Sequence, residues 1–169
     1  MRPSEMIHRR WRDFTDYSVI VNSQYYSGHE QTPKSPSGIR VIPLFPELKP
    51  YLKKWYIASS FKGDNDFLFT KNGKKPFSLA AWYDKEFHPL REELGLPYFT
   101  PHKIRKQFRP WLRKEGYSSV DIDRWLGWQD KHEMHRIYDK DTDFSHLRDK
   151  IQNTRAFPLD FGQIFGRMA

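Results

Sequence analysis

TPHKIRKQFRPWLRKEGYSSVDIDRWLGW, residues 100–128, is punctuated at each of its boundaries. Thr100-Pro101 opens a helix, because a threonine oxygen accepts a backbone N–H from the first turn and proline at the first helical position forgoes an N–H that would have no partner. Ile104, Phe108, Trp111 and Leu112 follow at helical spacing, and Gly116 stops the run. Ser118-Ser119 then caps a second helix that reaches Leu126. Two capped helices in succession make the chain mainly helical.

Working outward, a further helix is predicted from Ser78 towards Leu94, ending at Gly95 and kinked by Pro89. Another spans residues 46–56, with Leu48, Leu52 and Trp55 on one face, and residues 3–11 form a first helix with Pro3 in its opening turn. The β-branched runs 17–22 and 38–44 read as strands, and Phe67-Leu68-Phe69 as a third. These predict an α+β, mainly helical fold with a small three-stranded antiparallel sheet. Residues 27–37, holding Gly28, Pro33 and Pro36, form a loop or long hairpin with Lys34 near its tip. Helices at about 131–138 and 144–151 complete a domain over 1–155, and 156–169 is an apolar, proline-broken tail. A helix opening at residue 3 leads us to expect a longer parent, of which this is the C-terminal part.

The chain has 169 residues, which suits one domain with a buried core. Aromatics at 17% supply the apolar groups that a disordered chain lacks. A balance of 29 Lys+Arg against 21 Asp+Glu gives a net charge of +8, which favours a polyanionic partner. The absence of cysteine excludes disulfides, thiolate metal sites and a thiol nucleophile. No apolar run approaches the roughly 20 residues of a membrane span, so an intracellular protein with no membrane partner is expected.

Several short motifs stand in a fixed order: Arg2-Pro3-Ser4-Glu5-Met6, Arg10-Trp11-Arg12-Asp13, Thr32-Pro33-Lys34 ahead of Ile39-Arg40-Val41-Ile42-Pro43-Leu44, Thr100-Pro101-His102-Lys103-Ile104-Arg105, Leu126-Gly127-Trp128, and Tyr138. In this order they resemble the catalytic domain of the tyrosine recombinases, the phage-integrase family. The resemblance covers residues 2 to 140. It implies a catalytic set of Arg2, Lys34, His102, Arg105, Trp128 and Tyr138, no metal and no cofactor. The partners it implies are double-stranded DNA and further recombinase protomers, assembled on DNA as a tetramer, in the cytoplasm of a bacterium or from a phage. It also implies an N-terminal core-binding domain, which this sequence does not contain.

The residue types suit the chemistry. A phosphodiester attacked by an oxygen passes through a dianionic transition state, which guanidiniums stabilise through charge-assisted, fork-shaped hydrogen bonds. Arg2 and Arg105 fit that role. A phenol, with pKa about 10, needs a neighbouring proton acceptor such as His102 before it attacks. Trp128 offers an indole N–H to a phosphate oxygen, and Lys34 a proton to the leaving 5′-oxygen. Lys103, Lys106, Arg109 and Arg113 recur around one helix and are read as DNA-phosphate contacts. His132 and His135 have no third ligand at evident spacing and are read as a solvated helix face. Two other readings are a topoisomerase of type IB and a degenerate DNA-binding protein without cleavage activity. The tail after Tyr138 is expected either to exchange between protomers or to dock on its own body.

Overall fold

The computed structural model describes residues 1–26, 29–31, 38–128 and 147–154. Helix α1 is short, Pro3–Met6, where a helix over 3–11 was expected. Its premature end has a cause in Arg9, whose side chain is fully buried. Arg9 Nε donates to the Glu5 carbonyl at 2.9 Å, Nη1 to the Ile20 carbonyl at 2.6 Å, and Nη2 to the Ser23 carbonyl. Arg9 Nη1 also lies 3.2 Å from the Asp13 carboxylate. A buried charge is tolerated only when so surrounded. The chain therefore leaves the helix and wraps through a 3-10 turn, Trp11–Asp13, into the sheet.

Strand β1, Ser18–Val21, pairs antiparallel with β4, Arg40–Pro43, with Val21 opposite Arg40 and Ser18 opposite Pro43. Between them, β2, Gln24–Tyr26, pairs with β3, His29–Gln31. The loop or hairpin expected over 27–37, with Lys34 near its tip, lies outside the described residues except for β3. The pairing is antiparallel, as expected, but it forms two separate two-stranded sheets where one of three strands was expected, and Phe67-Leu68-Phe69 is a strand of neither. Phe67 forms an isolated antiparallel bridge with Arg10, and the Leu68 N–H donates to the Arg9 carbonyl at 2.8 Å. Burial of Phe67 and Leu68 against the α1–β1 connection, with the His8 ring 5.1 Å from that of Phe67, outweighs pairing with a strand.

Helix α2 spans Lys49–Ala58. The predicted helix after Ser78 is present in three parts: α3, Leu79–Trp82, a widened π turn at Tyr83–Phe87, and α4, His88–Glu93. Pro89 lacks an N–H and its ring would strike the carbonyl one turn back, and the wider turn just before it relieves that clash. Helix α5, Pro101–Lys114, is capped by Thr100, whose Oγ1 accepts from the Lys103 N–H at 3.2 Å. Helix α6, Ser119–Leu126, is capped by Ser118, whose Oγ accepts from the Asp121 N–H at 3.1 Å. Helix α7, Arg148–Asn153, follows. The core joins these last three through Leu112, Ile122, Trp125, Leu126 and Ile151, with Tyr117 beside them. Each buried side chain of this size contributes about 1.5–3 kcal/mol. Among the described residues no helix is long and apolar enough to cross a membrane.

Candidate functional site

The site forms where α1, β4 and the C-terminal end of α6 meet. Glu5, on α1, is 1% exposed and its carboxylate receives two arginines. Arg2 gives its backbone N–H at 2.6 Å and Nη1 at 2.9 Å. Arg40, at the start of β4, gives Nη2 at 2.8 Å and Nη1 at 3.2 Å. Burial alone would raise the Glu5 pKa, but the hydrogen bonds and charge of Arg40, joined by those of Arg2, hold it at about 2. Arg40 is itself fixed by the Gly38 carbonyl at 2.9 Å and, through Nε, by the Trp125 carbonyl at 2.8 Å.

Arg105 comes from the second turn of α5 and is 7% exposed. Its Nη2 donates to the Leu126 carbonyl at the end of α6, one of the acceptors a helix leaves unpaired. Gly127, with φ 62°, makes that carbonyl available. Its N–H bonds the Arg124 carbonyl at 3.1 Å and the Trp128 N–H bonds the Asp123 carbonyl at 2.9 Å, which is the Schellman arrangement and requires the left-handed conformation that glycine adopts without strain. Burial, with the charges of Arg2 and Arg40 close by, lowers the Arg105 pKa to about 10, so it remains a cation at neutral pH. Its Nη1 is buried without a hydrogen-bond partner among the described residues. Two guanidiniums thus hold one carboxylate, and the third, Arg105, lies close enough to feel the charges of Arg2, Arg40 and Glu5. Positive charge gathered in a partly dry setting favours an anion.

Trp128 is half-buried, with the guanidinium carbon of Arg105 5.7 Å and that of Arg109 5.2 Å from its ring centroid. His102 is exposed on α5, three positions before Arg105, so both lie on one side of the helix. Of the six catalytic candidates, Arg2, Arg105 and Trp128 come together around Glu5 and the end of α6. Lys34 and Tyr138 lie outside the described residues, as do His132, His135 and the tail.

Phage integrase family is the description of the family model that matches this chain, over residues 1–144. The chain belongs to the phage integrase family. No curated protein matches it. Among solved structures it is similar to that of the Tn1549 transposon integrase in complex with circular intermediate DNA, at 20% identity over 93% of this chain and 52% of that one, with a TM-score of 0.63. A second complex of that integrase with circular intermediate DNA gives 22% identity over 75% of this chain and 46% of that one, with a TM-score of 0.62. A variant of the same integrase bound to transposon right end DNA gives 23%, 82%, 50% and 0.57 in the same order. At these identities the likeness is one of fold. This member of the phage integrase family spans about half the length of the solved structures it matches.

Three residues of the site, Glu5, Arg40 and Asp123, carry no role in the sequence reading. Arg40 stands in a β-branched run, and the signal for it was available: a charged residue at a strand position that alternation turns inward. Asp123 gave no such signal, because its partner Arg109 is fourteen positions away on another helix, at 3.0 Å. Arg109 itself departs from the basic face expected of α5. Lys103, Lys106 and Arg113 are exposed, whereas Arg109 is paired with Asp123 and lies near the Trp128 ring.

Proposed function

We propose that this chain is the catalytic domain of a site-specific DNA recombinase that cuts and rejoins duplex DNA through a 3′-phosphotyrosyl intermediate. Membership of the phage integrase family supports the reaction class, and one observation carries the mechanism: Arg2 and Arg40 hold a single buried carboxylate beside Arg105, whose Nη1 has no hydrogen-bond partner among the described residues. In this reading Arg2 and Arg105 bind the scissile phosphate, Arg40 holds Glu5 so that Arg2 keeps its place, and the Trp128 indole N–H donates to a phosphate oxygen. Tyr138 Oη attacks phosphorus. The new O–P bond forms as the P–O5′ bond breaks, His102 receives the phenolic proton, and Lys34 protonates the departing 5′-oxygen. The hydroxyl of a partner strand reverses the step, so bond energy is conserved.

Residues 1–155 form this domain and 156–169 a tail, with further protomers as partners on DNA and the cytoplasm as the place of action. The test is a nicked suicide duplex carrying the ends of the protein's own mobile element. A denaturant-resistant adduct should form with the native chain and vanish in Tyr138→Phe while binding persists. An adduct that survives in Tyr138→Phe, or none on any such end, overturns the reading.

A further inference from the structure

Arg109 is placed by geometry, and the geometry concerns Trp128. Asp123 makes two connections. Its Oδ2 lies 3.0 Å from Arg109 Nη2, and its backbone carbonyl accepts the Trp128 N–H at 2.9 Å. The same residue thus fixes the backbone from which the indole projects and the cation 5.2 Å from the indole ring. Arg105 and Arg109 are one turn apart on α5, so the helix presents two guanidiniums to one aromatic ring, and they differ in what restrains them. Arg105 is tied to the Leu126 carbonyl and Arg109 to a carboxylate. A guanidinium held in this way is poorly suited to reach for a phosphate of the DNA backbone, because leaving Asp123 would abandon a charge-assisted hydrogen bond in a half-buried setting.

We propose that Arg109 is a positioning residue, clamped by Asp123 so as to hold the Trp128 indole at the phosphate, and not one of the DNA-gripping cations of α5. The proposal rests on the catalytic reading above for the place where the indole acts. The clamp itself does not depend on it. The indole packs along one side against the Leu112–Trp125 core, and its single N–H serves a phosphate oxygen only in one orientation about its two side-chain torsions. A planar cation near the ring, fixed by a second helix residue, removes that freedom before DNA arrives.

The experiment compares Arg109→Leu, Arg109→Lys and Asp123→Asn in the full chain, with three readouts. The first is the indole resonance of Trp128, identified by its loss in Trp128→Phe. It should move in Arg109→Leu and in Asp123→Asn, and return part-way in Arg109→Lys, which keeps the charge and loses the plane. The second is the salt dependence of binding to a mixed-sequence duplex, whose log–log slope should stay the same in Arg109→Leu. The third is the single-turnover rate of adduct formation at saturating suicide DNA, which should fall about tenfold or more in Arg109→Leu with binding intact. An unmoved Trp128 resonance in all three variants overturns the clamp, and so does a slope reduced by about 1 in Arg109→Leu, the signature of a lost phosphate contact. Failure of the native chain to form any adduct instead strikes the catalytic reading, and the resonance and slope still decide the role of Arg109. If Arg109→Leu does not fold, Asp123→Asn and Arg109→Lys report on the same resonance.

Discussion

Glu5 and Arg40 meet side-on in the interior, with Nη2 2.8 Å from Oε2 and Nη1 3.2 Å from Oε1, although 35 positions separate them. Glu5 titrates at about 2 in the folded protein against 4.5 for an ordinary glutamate. A depressed carboxyl contributes stability that is complete above the unfolded value and is lost as pH falls through the folded one, so the loss occurs between about pH 4.5 and 2. The difference corresponds to on the order of 3 kcal/mol. Urea unfolding midpoints measured across that range should fall in the native chain. Glu5→Gln should start lower by about 3–5 kcal/mol, because Arg40 is left buried and unpaired, and should lack that part of the acid dependence. An identical acid profile in Glu5→Gln would refute the assignment.

Gly127 has a second measurable consequence. Alanine at φ 62° is strained by about 1–2 kcal/mol, so Gly127→Ala should lower Tm by a few degrees, at about 2–4 °C per kcal/mol for a chain of this size. Asparagine, which tolerates that backbone better, should cost less than alanine. Equal melting temperatures for Gly127→Ala and the native chain would mean that the helix end is not built as described.

The exposed cations of α5 should reveal themselves through salt. Lys106→Ala is expected to weaken duplex binding uniformly across sequences and to reduce the log–log salt slope by about 1, with little change in stability. A slope unaltered by Lys106→Ala places the DNA on another face.

Tyr117 lies between α5 and α6, and its environment is structural. It is 5% exposed, its hydroxyl lies 2.6 Å from Thr154 Oγ1, and burial raises its pKa. Tyr117→Phe should cost about 1 kcal/mol of stability, since Thr154 Oγ1 keeps its bond to the Lys150 carbonyl at 2.8 Å, and should leave adduct formation unchanged. Loss of the adduct in Tyr117→Phe at full stability would transfer the nucleophile to it.

The residues whose positions were legible in the sequence are those that act locally. Thr100, Ser118 and Gly116 mark helix ends because capping is settled within four residues, and the family motifs gave Arg2, Arg105 and Trp128 their order. What the sequence did not reveal depends on groups distant along the chain. The first helix was read too long because nothing nearby announces that Arg9 will be engulfed by carbonyls of Ile20 and Ser23. Phe67-Leu68-Phe69 has strand composition, yet burial against the α1–β1 connection decides its place. Arg109 fits a basic stripe by period alone, and only the fold sets Asp123 beside it.

Arg40 binds Trp125 across 85 positions, and that distance has a meaning in time. As the chain is made, β1 and β4 leave the ribosome well before α6 exists, so contacts between them and α6 form late. Until then Arg40 has no Trp125 carbonyl to hold and Arg105 no Leu126 carbonyl, so the cations around Glu5 are not yet gathered. A nascent or clipped chain therefore carries the charged residues of the site without their geometry. The cation cluster around Glu5 is therefore a product of completed folding.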